Sequence, residues 1–280
     1  MTAPLPGASA PARAVDAYTA AQSAQDATVG HESRRFRIWR GADGVGAFQD
    51  YTTETNEGMV VLDAIHKIQA EQANDLAVRW NCKAGKCGSC SAEINGKPKL
   101  MCMTQLAELP AGEPVTLEPM RAFPHVRDLV TDVSWNFRVK PRIARFKPRP
   151  PDFPDGTWKI AQEDVERVQE FRKCIECFLC QDVCHVLRDH LKHEEFVGPR
   201  YLVYAAALEM HPLDVADRTD DLKDEFGIGY CNITKCCTTV CPENISITDN
   251  AIIPLKERVV DRHYDPLRAL VRLVRGTRKS

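Results

Sequence analysis

The chain has 280 residues, of which 44% are hydrophobic and 27% charged, with a formal net charge of −2. Those values suit a folded protein with room for two modest domains, and the net charge argues neither for a nucleic-acid binder nor for an acidic scavenger. No stretch approaches the ~18–20 apolar residues of a membrane span, and the N-terminus has neither a basic-plus-apolar secretory signal nor the composition of an organelle transit peptide, so the polypeptide is not expected to cross a bilayer itself.

Residues 1–32 are rich in Ala, Pro, Ser and Gln and poor in large apolar side chains. Such a segment buries too little surface to offset its ordering entropy, and it is expected to be a mobile arm, a spectator rather than a clamp on a partner. A first domain is expected over 33–137. Arg35 to Arg40 alternates like a half-buried strand, and Phe48 to Thr52 can pair with it across the Gly-rich stretch Gly41 to Gly46. From Val60 to Gln72 the apolar spacing is helical, with Val61, Ile65 and Ile68 on one face.

Next, Cys82, Cys87 and Cys90 are spaced C-x4-C-x2-C, with Cys102 further on. This is the plant-type spacing for a 2Fe–2S cluster. Four thiolates and inorganic sulfide concentrate negative charge, and Gly85 and Gly88 allow the chain to wrap closely and turn backbone amides inward. Lys83 and Lys86 either add favourable field or are simply solvated. Strands at Ser91 to Ile94, Lys99 to Met101 and Val115 to Leu117 complete a small β-grasp-like domain.

A linker follows over 138–160, with Pro141, Pro148, Pro150, Pro151 and Pro154 and an all-basic run of charges from Arg138 to Arg149. Repeated proline predicts an extended surface path, and the cations either face an acidic partner or are solvated. A helical domain is expected over 161–264, with helices at Gln162 to Phe171, at Tyr201 to Met210, and from Pro242 to about Lys256, where Pro254 limits the end. Within it, Cys174, Cys177, Cys180 and Cys184 are spaced C-x2-C-x2-C-x3-C, the run by which bacterial ferredoxins hold clusters. Cys231, Cys237 and Cys241-Pro242 repeat the run, with Thr234 where the second cysteine would stand.

In two-cluster ferredoxins the last cysteine of each run ligates the other cluster. That rule gives Cys174, Cys177, Cys180 and Cys241 to a 4Fe–4S cluster. It leaves Cys184, Cys231 and Cys237 for the second site, and because the Thr234 hydroxyl is a poor iron ligand, a 3Fe–4S cluster is expected there. Cys236 could ligate in place of Cys237, but the x3-C-P spacing favours Cys237, and Cys236 is read as a buried thiol outside the ligand set. Disulfides would account for the 12 cysteines in a small secreted chain, and zinc sites take separated pairs rather than a 2-2-3 run. Over 265–280, Leu267, Leu270, Val271 and Val274 can share a face opposite Arg268, Arg272 and Arg275, as in a basic amphipathic tail that rests on an anionic membrane or docks on its own domain.

The fold class read from these segments is α+β, an N-terminal β-grasp plant-type 2Fe–2S ferredoxin domain followed by an all-α bacterial-ferredoxin-like two-cluster domain. From about Phe36 to Ala251 the chain resembles the iron–sulfur subunits of succinate dehydrogenase and fumarate reductase. The resemblance extends to Val61-Leu62-Asp63-Ala64, to Pro124-His125 with Arg127-Asp128-Leu129, and to Phe196-Val197-Gly198-Pro199. It implies an electron-transfer subunit of a membrane-associated succinate:quinone oxidoreductase. Its partners would be a FAD-containing flavoprotein, which carries the succinate chemistry, and membrane-anchor subunits that bind quinone and, in some members, haem. No catalytic acid or base is then expected in this chain, no nucleic acid is expected as a partner, and the subunit would lie peripherally on the cytoplasmic face of a bacterial plasma membrane.

Relatives that reduce ubiquinone usually have Pro after the cysteine matching Cys184, then a Trp-containing stretch, and His after the one matching Cys231. Here the corresponding residues are His185 and Asn232, and no Trp follows through His190. A menaquinone-linked member, or an unusual anchor that takes electrons differently, fits better. His185 and Asn232 are quinone-proximal candidates, although a lone His beside a cluster is more often structural. Outside this assignment stand a fumarate reductase running in reverse, the subunit of another flavoprotein-linked oxidoreductase, an iron–sulfur sensor and a zinc scaffold.

Overall fold

The computed structural model describes residues 32–266. The expected N-terminal arm, apart from Glu32, and the amphipathic face from Leu267 onward lie outside them.

Strand β1 (Glu32–Ala42) alternates buried and exposed residues, so that Phe36 and Ile38 enter the core while Arg35 and Arg37 face outward. It turns through Asp43 and Gly44, both at positive φ as a two-residue hairpin requires, into β2 (Val45–Thr55). Helix α1 (Val61–Glu71) buries Val61, Leu62, Ala64, Ile65 and Ile68, and the Asp63 carboxylate accepts the Val60 amide at 3.3 Å, closing its first turn. Strands β3 (Ser91–Ile94), β4 (Lys97–Leu100), β5 (Val115–Glu118), β6 (His125–Arg127) and β7 (Val130–Thr131) complete one mixed sheet in the order β4-β3-β5-β1-β6-β7, with β2 also on β1. The β1–β5 pairing is parallel and the others are antiparallel.

The motif Pro124-His125 with Arg127-Asp128-Leu129 closes this sheet. Buried Asp128 accepts the Gly41 and Ala77 amides at 3.0 and 2.8 Å and pairs with Arg40 at 3.0 Å. Because His125 Nδ1 accepts the Gly44 amide, its proton sits on Nε2 and is donated to the Asp128 carbonyl.

The chain then passes through α2 (Ser134–Val139) and a 3-10 turn at Lys140–Arg142. The linker was expected to be extended from Arg138, yet its first residues are helical. Pro141 stands in the first turn of that 3-10 segment, where its missing N–H costs no bond. Three of the linker cations are paired within the chain: Lys140 with Glu176, Arg142 with Glu225 and Arg149 with Asp152. Arg218, wholly buried, fastens the linker from inside. It donates to the carbonyls of Ala144 and Arg145 and pairs with Asp214 at 2.7 Å and Glu209 at 3.3 Å.

The remainder is helical: α3 (Gln162–Gln169), α4 (Leu179–Asp182), α5 (His185–Arg188), α6 (Gly198–Glu209), α7 (Thr219–Asp224), α8 (Cys236–Thr239) and α9 (Ile253–His263). Their core is built from side chains such as Phe171, Leu187, Phe196, Tyr201, Leu202, Phe226 and Ile252. Each such large apolar side chain contributes about 1.5–3 kcal/mol when fully buried. Gly198, at φ +80, starts α6 where a Cβ would lie 2.0 Å from the Gln181 amide oxygen, so the Phe196 to Pro199 motif admits no larger residue there. Pro254 does not limit a helix as expected. It lies in the first turn of α9, fed by a π-helical turn at Ile247–Ile252, and a proline in that position gives up no necessary donor.

Candidate iron–sulfur cluster sites

The loop from Cys82 to Cys90 joins α1 to β3. Lys83, Gly85 and Gly88 all have positive φ, so successive amides turn toward the sulfurs. Ala84 and Lys86 donate to Cys82 Sγ at 3.4 and 3.3 Å, and Gly85 donates to Cys102 Sγ at 3.3 Å. Cys102 comes from the turn after β4, and the Met101 amide bonds the Cys90 carbonyl at 3.0 Å, which draws the two buried cysteines together. Against the burial that pushes it up, hydrogen bonding by Cys82 and Ser89 holds the Cys87 thiol down to about 6. Ser89 Oγ is 3.0 Å from Cys87 Sγ, a contact that spacing alone did not single out. Lys83 lies 4.8 Å above the Trp80 ring, and Lys86 pairs with Glu243 at 3.1 Å, so Lys86 ties this loop to the helical region rather than standing free.

Cys174, Cys177, Cys180 and Cys241 converge on one cavity walled by Phe178, Val203, Ile245 and Ile247, with Arg200 at its edge. Burial pushes the Cys177 thiol up to about 12 and the Cys180 thiol well above its ordinary value. Such sulfurs become thiolates when iron takes the place of the proton. An apolar cradle of four cysteines, two of them deeply desolvated, fits a cuboidal cluster with a thiolate at each corner.

The two cysteine runs are backbone copies of one another. Each follows a 3-10 turn, Glu170–Lys173 in one and Ile228–Tyr230 in the other. Glu176 and Phe178 have φ of 55° and 62°, and the equivalent Ile233 and Lys235 have 63° and 62°. A β-branched residue in that region is strained, so Ile233 is held there by its loop. Phe178 and Lys235 then cap the short helices α4 and α8. In this register Thr234 takes the place of Cys177.

Around the second run, Cys184 and Cys237 are buried and their thiols are pushed up by burial, to about 12 and about 11. Cys236 and Cys237 add a smaller repulsion at Cys184, while Cys236 and Cys231 do so at Cys237. Cys184, Cys231 and Cys237 therefore share one neighbourhood, and so does Cys236. Cys236 is not the buried thiol expected from sequence. It opens α8, is half-buried, and lies 3.3 Å from the Thr234 hydroxyl. Thr234, Asn232, Ile233 and Lys235 are exposed, so the corner lacking a cysteine faces outward. His185 begins α5, immediately after Cys184, half-buried with its ring edge-on to His190 at 6.0 Å.

Among the described residues no group of His, Cys, Asp and Glu side chains is gathered for a single metal ion. A lone tetrahedral ion needs sulfurs within about 4 Å of one another, whereas a polynuclear cluster holds them farther apart around its own bulk.

The cluster loops also touch one another. Gly88 packs on Cys177, where a Cβ at Gly88 would lie 2.6 Å from Cys177 Cα, and Ser91 Oγ donates to both the Gly88 and Cys177 carbonyls at 2.9 and 2.8 Å. Glu93, fully buried on β3, binds Arg121 at 2.6 Å and Arg188 of α5 at 3.5 Å, pinning sheet to helices beside that contact.

The 2Fe-2S iron-sulfur cluster binding domain family matches residues 35–138, and the 4Fe-4S dicluster domain family matches residues 170–245. The fumarate reductase iron-sulfur subunit of Mycobacterium tuberculosis (strain CDC 1551 / Oshkosh) is 35% identical over 205 residues, spanning 71% of this chain and 80% of that one. The succinate dehydrogenase iron-sulfur subunit of Paracoccus denitrificans is 28% identical over 235 residues, spanning 82% of this chain and 89% of its own. Among solved structures, a chain of the Mycobacterium smegmatis Sdh1 complex in the apo form superposes with a TM-score of 0.82 at 60% identity, covering 85% of this chain and 100% of that one.

Proposed function

The chain belongs to the family of succinate dehydrogenase and fumarate reductase iron–sulfur subunits, and we propose that it conducts electrons from a FAD-containing, succinate-oxidising flavoprotein to a quinone at a membrane anchor. Cys82, Cys87, Cys90 and Cys102 hold the 2Fe–2S cluster in this assignment, within a β-grasp domain. Cys174, Cys177, Cys180 and Cys241 hold the 4Fe–4S cluster, and Cys184, Cys231 and Cys237 the 3Fe–4S cluster. Bound there, the clusters would supply the reversible one-electron redox chemistry of the relay.

What the chain itself contributes is placement and electrostatics. Amides turned toward Cys82 and Cys102 offset the negative charge of the first site. The observation that carries the proposal is the packing of Gly88 on Cys177, which sets the first and second ligand loops backbone to backbone. Through Cys180, within α4, and Cys184, just after its end, the second and third ligand sets are joined in turn. Exposed Trp80, Met103 and Cys82 suit the flavoprotein side, and exposed Tyr230, Ile233 and Thr234 suit the quinone side.

Menaquinone is the favoured acceptor because His185 and Asn232 replace the residues usual in ubiquinone-reducing relatives. No helix of the described residues is long and apolar enough to cross a membrane, and anchor subunits would hold the protein at the cytoplasmic face. A fumarate reductase running in reverse is the second reading, supported by the name of the M. tuberculosis relative. The test is a substrate assay on the complex purified with its flavoprotein and anchor. Succinate-dependent reduction of a menaquinone analogue that exceeds fumarate-dependent oxidation of the reduced analogue is expected. An excess in the other direction selects the reverse assignment, and no activity in either direction despite bound flavin refutes both.

A further inference from the structure

Arg200 lies at the start of α6, 6% exposed, on the wall of the cavity formed by Cys174, Cys177, Cys180 and Cys241. Its Nη2 donates to Glu176 Oε1 at 2.6 Å, and its guanidinium carbon sits 5.6 Å from both the Tyr201 and Tyr204 ring centres. Its Nε is buried and has no hydrogen-bond partner. A buried guanidinium N–H without an acceptor is costly, and an anionic group in the adjoining cavity would remove that cost. Lys140 also binds Glu176 Oε1 at 2.6 Å, so the three side chains form a unit with one net positive charge behind the Cys174 to Cys177 loop.

We propose that Arg200, with Lys140 and Glu176, forms a charge relay that sets the reduction potential of the 4Fe–4S cluster, Arg200 raising it and Glu176 lowering it. The proposal rests on the assignment of that cluster to Cys174, Cys177, Cys180 and Cys241. Reduction adds one electron and therefore one negative charge to the cavity, and a desolvated cation beside it favours the reduced form. Glu176 works in the opposite sense, and Lys140, 40% exposed, has a smaller effect than Arg200 because solvent screens it. Packing alone would not give neighbouring substitutions effects of opposite sign.

The test is an EPR-monitored redox titration of the intact complex carrying Arg200→Gln, Arg200→Lys or Glu176→Gln, with the 2Fe–2S midpoint as internal reference. Arg200→Gln is expected to make the 4Fe–4S cluster about tenfold harder to reduce, a fall of ~59 mV for a one-electron couple. Arg200→Lys should fall less, and Glu176→Gln should move the midpoint upward. Should Arg200→Gln fail to assemble, the upward shift in Glu176→Gln, whose side chain is partly exposed, still decides the matter. Equal midpoints in all variants, or a downward shift in Glu176→Gln, would overturn the proposal. Absence of any 4Fe–4S signal from the wild-type complex would instead refute the ligand assignment beneath it.

Discussion

Replacing Gly88 by alanine perturbs a place where the first two cysteine loops meet backbone to backbone. At φ +68 the new side chain occupies a left-handed conformation, which costs an L-residue about 1–2 kcal/mol. Its Cβ would also lie 2.6 Å from Cys177 Cα and 2.9 Å from Cys177 N and Cβ, against an ordinary contact of 3.4–4 Å. The loops must therefore separate by about 0.8 Å or distort, an overpacking worth about 1–3 kcal/mol more. The Ser91 bond to the Cys177 carbonyl, at 2.8 Å, would stretch with them. Gly96 supplies the control, since it has φ +71 and nothing within 4 Å of its added Cβ. Gly96→Ala should cost the backbone term alone. The assay is thermal unfolding of the assembled complex together with freeze-quench EPR of electron arrival at the second cluster. Gly88→Ala should lose about 2–5 kcal/mol in all and slow that arrival, whereas Gly96→Ala should leave the rate unchanged. Equal stability in the two variants and equal rates would refute the contact as the junction between the loops.

Thr234→Cys should supply a fourth thiolate to the outward-facing corner and abolish the oxidised 3Fe–4S signal, as read by low-temperature EPR. Arg218→Met should cost about 3–5 kcal/mol, because Asp214 is then left buried without its cation and Glu209 keeps only Arg258, at 3.6 Å; equilibrium unfolding in urea would measure it. Against burial, which pushes it up, hydrogen bonds from the Ser246 amide and Asn250 hold the Glu170 carboxyl below its ordinary range. Its stabilisation is present above the unfolded pKa and lost as pH falls through the depressed one. Wild type should accordingly lose more unfolding free energy than Glu170→Gln does as pH is lowered from neutrality, with the difference opening below about pH 4.3.

The sequence made the candidate cluster loops legible because the proposed ligation fixes both residue type and spacing. Cys174 to Cys184, and the run from Cys231 with Thr234 in a cysteine's place, state their chemistry in a few turns of chain. Hairpin and helix were legible for a similar reason: Gly41 to Gly46 marks the reversal, and Val61, Ile65 and Ile68 mark one helical face. Contacts that arise between distant segments were not. Nothing near Gly88 announces Cys177, and nothing in Gly198-Pro199-Arg200 announces the cavity that Arg200 lines. Local rules also misled where two structures satisfy one residue. Pro254 ends a helix or opens one equally well, and only the preceding π-turn decides. Prolines in the linker suggested an extended path, but Pro141 sits comfortably in a first turn. Cys236 was set aside as buried because its neighbour Cys237 fits the repeat, yet the start of α8 leaves it half-exposed beside Thr234.

The measurement that bears most directly on the three-site relay is low-temperature EPR of the complex isolated with its native partners, before and after succinate. An oxidised 3Fe–4S signal is expected at the outset; succinate should diminish it while a reduced 2Fe–2S signal appears. No oxidised signal in the isolated complex would mean that Thr234 or Cys236 completes a fourth corner, contradicting the three-cysteine site. Signals that dithionite reduces but succinate leaves unchanged, in a complex whose flavin is retained, would contradict the succinate-linked relay.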